Sequence, residues 1–264
     1  LLRDFIIRDF TPRFSTRTSL YGTWSNLMQT RAHPTYFFRA GIELGGNLPF
    51  VLDWATRLGK NGDKDIRDGR INNYYLYGQF YRASAEARSY IPTGKEHEFV
   101  CRISTGFAQG FNYTKIVPFE NRFFAGGTNS VRGWQSNTLG PGTFQRGSSN
   151  LITPGGEIYF EANAEFRRNI IDYIEAAFFV DAGNVWFTPN GGFELSEGKF
   201  AIQNLQLGVA AGLGIRFDFS FLLIRVDIGQ QVYAPDVRSL IVRKFPRDLG
   251  GNRIQYNLGI GYPF

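Results

Sequence analysis

The sequence predicts an all-β protein, a transmembrane antiparallel β-barrel, on three observations. Apolar and polar residues alternate with period two over runs of about ten residues, as a strand with two unlike faces requires. The polar face of these runs is built of charges and glycines, which suits a water-filled or plugged lumen better than a solvated sheet surface. No run of about 18 apolar residues is present, so a membrane crossing would be made by strands. Alternation alone fits a soluble sandwich equally well, with the sense of its faces inverted. Length separates the two, because soluble strands average about five or six residues and a tilted bilayer-crossing strand needs about nine to eleven.

Composition points the same way through its extremes rather than its averages. The 264 residues include 26 Phe, 13 Tyr and 31 Gly against one Met and one Cys, a bias toward twisted strands and interfacial belts. Hydrophobic content of 43% and a mean hydropathy of −0.23 would suit a soluble domain and decide nothing. The net charge of +6 is spread along alternating segments with no basic cluster of five or more, so it lines a lumen and loops, and no nucleic-acid partner is expected.

Nine strands are expected: Phe5 to Trp24, Tyr36 to Pro49, Tyr74 to Ile91, Glu98 to Gly110, Glu157 to Arg168, Ile174 to Trp186, Leu205 to Phe219, Phe221 to Val232 and Arg253 to Phe264. In the second, Tyr36, Phe38, Ala40, Ile42 and Leu44 oppose Phe37, Arg39, Gly41, Glu43 and Gly45. In the fourth, Cys101 shares a face with Phe99 and Ile103, which makes it an inert lipid-facing residue. The fifth sets Ile158, Phe160, Ala162, Ala164 and Phe166 against Glu157, Tyr159, Glu161, Asn163 and Glu165. The sixth puts Asp181 on one side with Glu175, Ala177 and Phe179. The seventh opposes Leu207, Val209, Leu213, Ile215 and Phe217 to Gly208, Gly212, Gly214 and Arg216, and the eighth groups Arg225, Asp227 and Gly229. In the ninth, Tyr256, Leu258, Ile260, Tyr262 and Phe264 share a face opposite Gln255, Asn257, Gly259, Gly261 and Pro263. Pro263 and the two glycines predict a weakly paired seam at the end of this strand. Because single-chain bacterial barrels close with an even strand number, nine means either a miscounted strand or further strands before Leu1, and the second is expected.

Between the fourth and fifth strands, the tract of about 111–154 lacks sustained alternation and is rich in Gly, Asn, Ser and Thr, which predicts one long functional loop. Shorter polar connections are expected at Lys60 to Arg70, Pro189 to Lys199 and Tyr233 to Gly251. Within the long loop, Gly126, Gly127 and Gly133 permit tight backbone conformations, and Arg132 carries a rigid five-donor fork. A guanidinium held inside a barrel needs acceptors, and alternation offers Glu165 and Asp181 from the polar faces of their strands.

The run Gly126-Gly127-Thr128-Asn129-Ser130-Val131-Arg132-Gly133-Trp134 closely resembles the lid-loop signature of the BamA/TamA outer-membrane barrel family, with Trp134 where Phe or Tyr is usual. Phe179-Val180-Asp181-Ala182-Gly183 resembles the family's F-x-D-x-G strand motif, and Ile254 to Phe264 its closing strand, with Gly259 at the kink position. The resemblance implies that residues 1–264 are the C-terminal part of a sixteen-stranded barrel whose loop 111–154 re-enters the lumen, preceded by periplasmic POTRA domains absent from this chain. It implies that Arg132 meets Asp181 and Glu165, and that the seam opens laterally to insert and fold other barrel proteins. Expected partners are outer-membrane lipids, unfolded barrel clients, and periplasmic or lipoprotein accessory subunits. A two-partner-type secretion transporter and a passive porin share much of this pattern. No enzyme, metal or cofactor is expected, since His33 and His97 lie near no nucleophile motif or metal-ligand spacing. His97 itself reads as a turn residue.

Overall fold

A computed structural model describes residues 14–26, 33–58, 70–71, 75–111, 117–144, 155–189, 196–202, 205–219, 221–237, 239–240 and 253–264. Its strands are β1 (Arg17–Ser25), β2 (Thr35–Gly45), β3 (Arg70–Ile71), β4 (Tyr75–Leu76), β5 (Gln79–Pro92), β6 (His97–Phe111), β7 (Ile158–Ile171), β8 (Ile174–Trp186), β9 (Gly208–Asp218), β10 (Leu223–Ala234), β11 (Ser239–Leu240) and β12 (Ile254–Ile260). Nine long strands form one antiparallel sheet in the order β1-β2-β5-β6-β7-β8-β9-β10-β12, with β11 beside β12 on the same edge of β10. The pair β3–β4 forms a separate small ribbon. Among the described residues no helix is long and apolar enough to cross a membrane.

The two faces of the sheet have opposite chemistry, in the sense a membrane barrel requires. Outward side chains are apolar and open to the surroundings, among them Ile42, Ile103, Phe178, Leu213, Ile228 and Leu258. Inward side chains such as Glu43, Glu161, Glu165, Asp181, Arg216 and Asp227 are buried. What buries them is the segment 117–144. Arg17 of β1 reaches Asn121 in that segment, Arg82 of β5 lies over Phe123, and Asn257 of β12 reaches Arg132, so the sheet wraps around it from first strand to last. Cys101 pairs in register with Ser89 and Ala164 on the outward face and is half-buried.

Some expected boundaries move. The first strand spans Arg17–Ser25, and residues 1–13 lie outside the described ones. The second ends at Gly45 rather than Pro49. Gly46, at φ +75°, turns the chain, and its carbonyl accepts the Phe50 N–H at 3.1 Å to start helix α1 (Asn47–Leu58). Pro49 fits there because a first helical turn has no use for its missing N–H. The helix turns Leu48, Val51 and Leu52 outward, a spacing of three and four residues that a period-two reading passes over. His97 opens β6 and stacks on Phe166 at 5.8 Å rather than sitting in the turn. Connections at 60–69 and 241–251, and loop residues 112–116 and 145–154, lie outside the described residues.

The C-terminus departs most. β12 ends at Ile260, and Gly261 at φ +80° breaks the alternation, so Tyr262 and Phe264 leave the face of Tyr256 and Leu258 and turn inward. The Tyr262 ring lies 4.3 Å from the Arg167 guanidinium carbon, and Phe264 is buried 5.6 Å from that of Arg132. A cation over an aromatic face is a better end for these rings than exposure at the rim.

Candidate functional site

The re-entrant segment is built by local turns. Phe123 bridges Gly156 and Ala125 bridges Leu139, which closes 126–138 into a compact excursion. Gly126 and Gly127 take φ +97° and +110°, a region closed to residues with a Cβ except at a cost. The Ser130 hydroxyl then accepts the Gly126 N–H at 2.8 Å and donates to Glu161 of β7. The Trp134 N–H returns to the Val131 carbonyl at 3.2 Å. These turns carry Arg132 to the tip.

Arg132 has no solvent exposure. Its Nε and Nη2 donate to the two oxygens of Asp181 at 2.8 and 2.9 Å, its backbone N–H donates to Oδ2 at 3.1 Å, and Nη1 donates to Glu165 at 2.5 Å. The guanidinium carbon sits 3.5 Å from the Phe179 ring centroid. A fork received by both oxygens of one carboxylate is among the strongest polar contacts a protein makes. Burial works against the Arg132 charge, but Asp181 and Glu165 outweigh it and hold its pKa above the ordinary arginine value.

The neighbouring positions explain why the tip fits. A Cβ on Gly183 would stand 2.8 Å from Glu161 Cγ and the Phe160 carbonyl and 3.1 Å from Val131, so glycine there lets the tip approach β8. A Cβ on Gly133 would stand 2.7 Å from Ala210 Cβ. Trp134 and Val131 pack with Ala125, Leu139, Val185 and Ala210 in the apolar cluster beneath the loop.

Alternation marked an inward face but not the size of the network on it. Glu165 also meets Arg167 at 2.7 Å and Arg216 at 2.9 Å. Arg216 meets Asp227 at 3.1 Å, and Asp227 stands 3.7 Å from Arg132. Asn163 donates from Nδ2 to both the Ser130 carbonyl and Asp181 at 2.9 Å. Arg102 ties Glu161 to Glu86 at 3.0 and 2.9 Å. The signal available for these residues was their shared strand face; their pairing depends on which strands lie side by side.

On the closing strand, Asn257 donates to the Arg132 carbonyl at 2.9 Å, Gly259 lies against the Arg225 guanidinium, and Tyr256 projects outward. The Gln255 side-chain amide bonds the adjacent Tyr256 carbonyl at 3.0 Å and does not reach the tip. Pro263 follows the inward turn at Gly261.

Residues 70–264 match the Omp85 superfamily domain. The chain belongs to the Omp85 superfamily. As a member it is an integral β-barrel of the outer membrane. The outer membrane protein assembly factor BamA of Neisseria meningitidis serogroup B is 32% identical over 159 residues, which cover 57% of this chain and 19% of that protein. Among solved structures, BamA from Haemophilus ducreyi lacking POTRA domains 1–3 aligns with 93% of this chain and 53% of its own, at 13% identity and TM-score 0.48. CdiB from Acinetobacter baumannii aligns with 93% of this chain and 41% of its own, at 12% identity and TM-score 0.39. This Omp85 chain thus spans about a fifth of the curated relative it matches.

In an outer-membrane barrel the short turns face the periplasm and the long loops the exterior. The strand ends that flank 93–96, 172–173 and 219–222 share one rim of this Omp85 sheet, and those that flank 46–78, 112–157 and 187–207 share the other. The lid therefore enters from the exterior side.

Proposed function

We propose that this protein inserts and folds other outer-membrane β-barrels without covalent chemistry, by opening its wall at the closing strand β12. The observation that carries the reading is the buried Arg132 fork on Asp181, which holds the lid to β8 inside an Omp85 barrel. Pinned there, the lid fixes β7 and β8 as a rigid side, while β12 stands at the end of the sheet with a short pairing to β10. An incoming strand is recognised by its unpaired backbone amides and carbonyls, which a free strand edge satisfies in a bilayer that offers no water. The free energy comes from the client as it buries its own apolar face. Unfolded barrel proteins are then the clients, outer-membrane lipids the surroundings, and periplasmic or lipoprotein subunits the helpers.

The test is reconstitution of the full-length protein in bilayers with an unfolded barrel client. Faster client folding that is lost in Arg132→Ala supports the reading. Large steady ionic currents with no gain in client folding would assign a porin, and one-way passage of a soluble polypeptide would assign a secretion transporter.

A further inference from the structure

We propose that Asn257 is a positioning residue that couples the lid tip to the closing strand, so that the lid holds β12 in register from inside the barrel. The inference deepens the assembly reading above, by naming what keeps the wall shut at β12.

β12 is the least supported long strand. It meets β10 through seven register pairs, Ile224↔Ile260 to Gln230↔Ile254, half of the fourteen that join β5 to β6. Among the described residues its other edge meets no strand. What it lacks in ladder it gains from the lid. The Arg132 side chain points to β7 and β8, but its carbonyl points the opposite way, to the joint between β10 and β12. There Gly229 makes room, since a Cβ at that position would stand 2.4 Å from the Arg132 oxygen. Asn257, buried on β12, donates to the same oxygen at 2.9 Å. One lid residue therefore bridges the acids of the rigid side and the amide of the closing strand.

Two further contacts run from β12 and the C-terminal tail toward the lid. A Cβ on Gly259 would stand 2.4 Å from Arg225 Nε, so glycine admits the guanidinium across the strand. Arg225 in turn donates to the Thr128 carbonyl at 3.0 Å and to the Asn129 side chain. Past the turn at Gly261, the Phe264 ring closes over Arg132. Asn257 is the member of this set with a direct hydrogen bond from β12 to the lid backbone, and a buried carbonyl that loses its donor has no water to replace it.

The test is hydrogen exchange on the full-length protein in bilayers. Asn257→Leu keeps the number and branching of the side-chain heavy atoms and removes the donor. The expected result is a rise of roughly fivefold to tenfold in exchange at 254–260 and at 126–139 together, with β5 and β6 unchanged. Asn257→Gln, which keeps the amide, should recover part of the protection. Faster exchange of β12 with an unchanged lid, or no change in either, overturns the proposal. If Asn257→Leu also loses β5 and β6 protection, Asn257→Ser, a smaller change that likewise withdraws the amide, is read by the same criteria. Client folding measured in parallel separates the two claims. An assembly defect without the paired exchange change overturns the coupling and leaves the assembly reading standing. The paired change with normal assembly supports the coupling and counts against that reading.

Discussion

The inner wall treats its charges in two ways. Along β7 to β10, Glu165, Asp181, Arg216 and Asp227 are fully buried under the lid and paired at 2.5–3.1 Å. Along β1, β2 and β5, Glu43 is buried but its partners Arg17 and Arg82 keep 48% and 21% of their side chains exposed. Both walls follow the same alternation of strand faces, so the strands did not create the difference. The lid did: it also touches Arg17 through Asn121 and Arg82 through Phe123, but only along β7 to β10 does it seal both partners of each pair from solvent. A charge at an inward position is therefore cheap to lose until something covers it.

The sharpest test of that contrast is a matched pair of deletions. Arg132→Met removes the cation at the centre of the covered wall and leaves Asp181 short of its fork, which should cost about 3–5 kcal/mol of barrel stability. Arg82→Met removes a part-open cation that stacks on Phe123 but whose carboxylate, Glu43, keeps Arg17 and Tyr21, and should cost about 1 kcal/mol or less. Urea unfolding of the membrane-inserted protein measures both. Equal losses would mean that lid coverage does not set the energetics.

Close approach of the lid can be tested without touching any charge. Gly229→Ala drives a Cβ against the Arg132 carbonyl, a backbone atom with no easy escape, and should cost about 1–3 kcal/mol. Gly22→Ala on β1 meets nothing within 4 Å and should stay within about 0.5 kcal/mol of the parent. A neutral Gly229→Ala would show that the tip sits further from β10 than the structure places it.

How much of this the sequence disclosed follows from what each signal encodes. Alternation is a local property, so the nine strands, their polar faces and the inward side of Glu165, Asp181, Arg225 and Asp227 could be read from it. The helix α1 was lost because twelve residues with Pro49 near their start resemble a strand ending at a proline. Tyr262 and Phe264 were grouped on one face with Tyr256 and Leu258 because one glycine at positive φ resets the face of everything after it, and nothing local announces which glycine turns. The ion-pair network lay out of reach for a different reason. Arg216, Asp227 and Glu165 come from three strands, and their meeting depends on register and on how far the lid descends. Asn257 is the extreme case, since its partner is a backbone carbonyl 125 positions away that no side-chain pattern marks.

Salt gives the smallest effect and the most selective one. The Arg17–Glu43 pair, 3.2 Å apart and half open on the arginine side, should show a coupling near 0.5 kcal/mol in a double-mutant cycle of Arg17→Met with Glu43→Gln. Raising ionic strength from about 0.1 to 1 M shortens the screening length from about 10 to 3 Å and should erase most of that coupling. The Arg216–Asp227 pair lies at 3.1 Å with both side chains fully buried, where mobile ions do not enter. Its cycle, Arg216→Met with Asp227→Asn, should hold its value across the same range. If the buried pair weakens in step with the open one, ions reach the lumen beneath the lid, and the covered wall is no drier than the other.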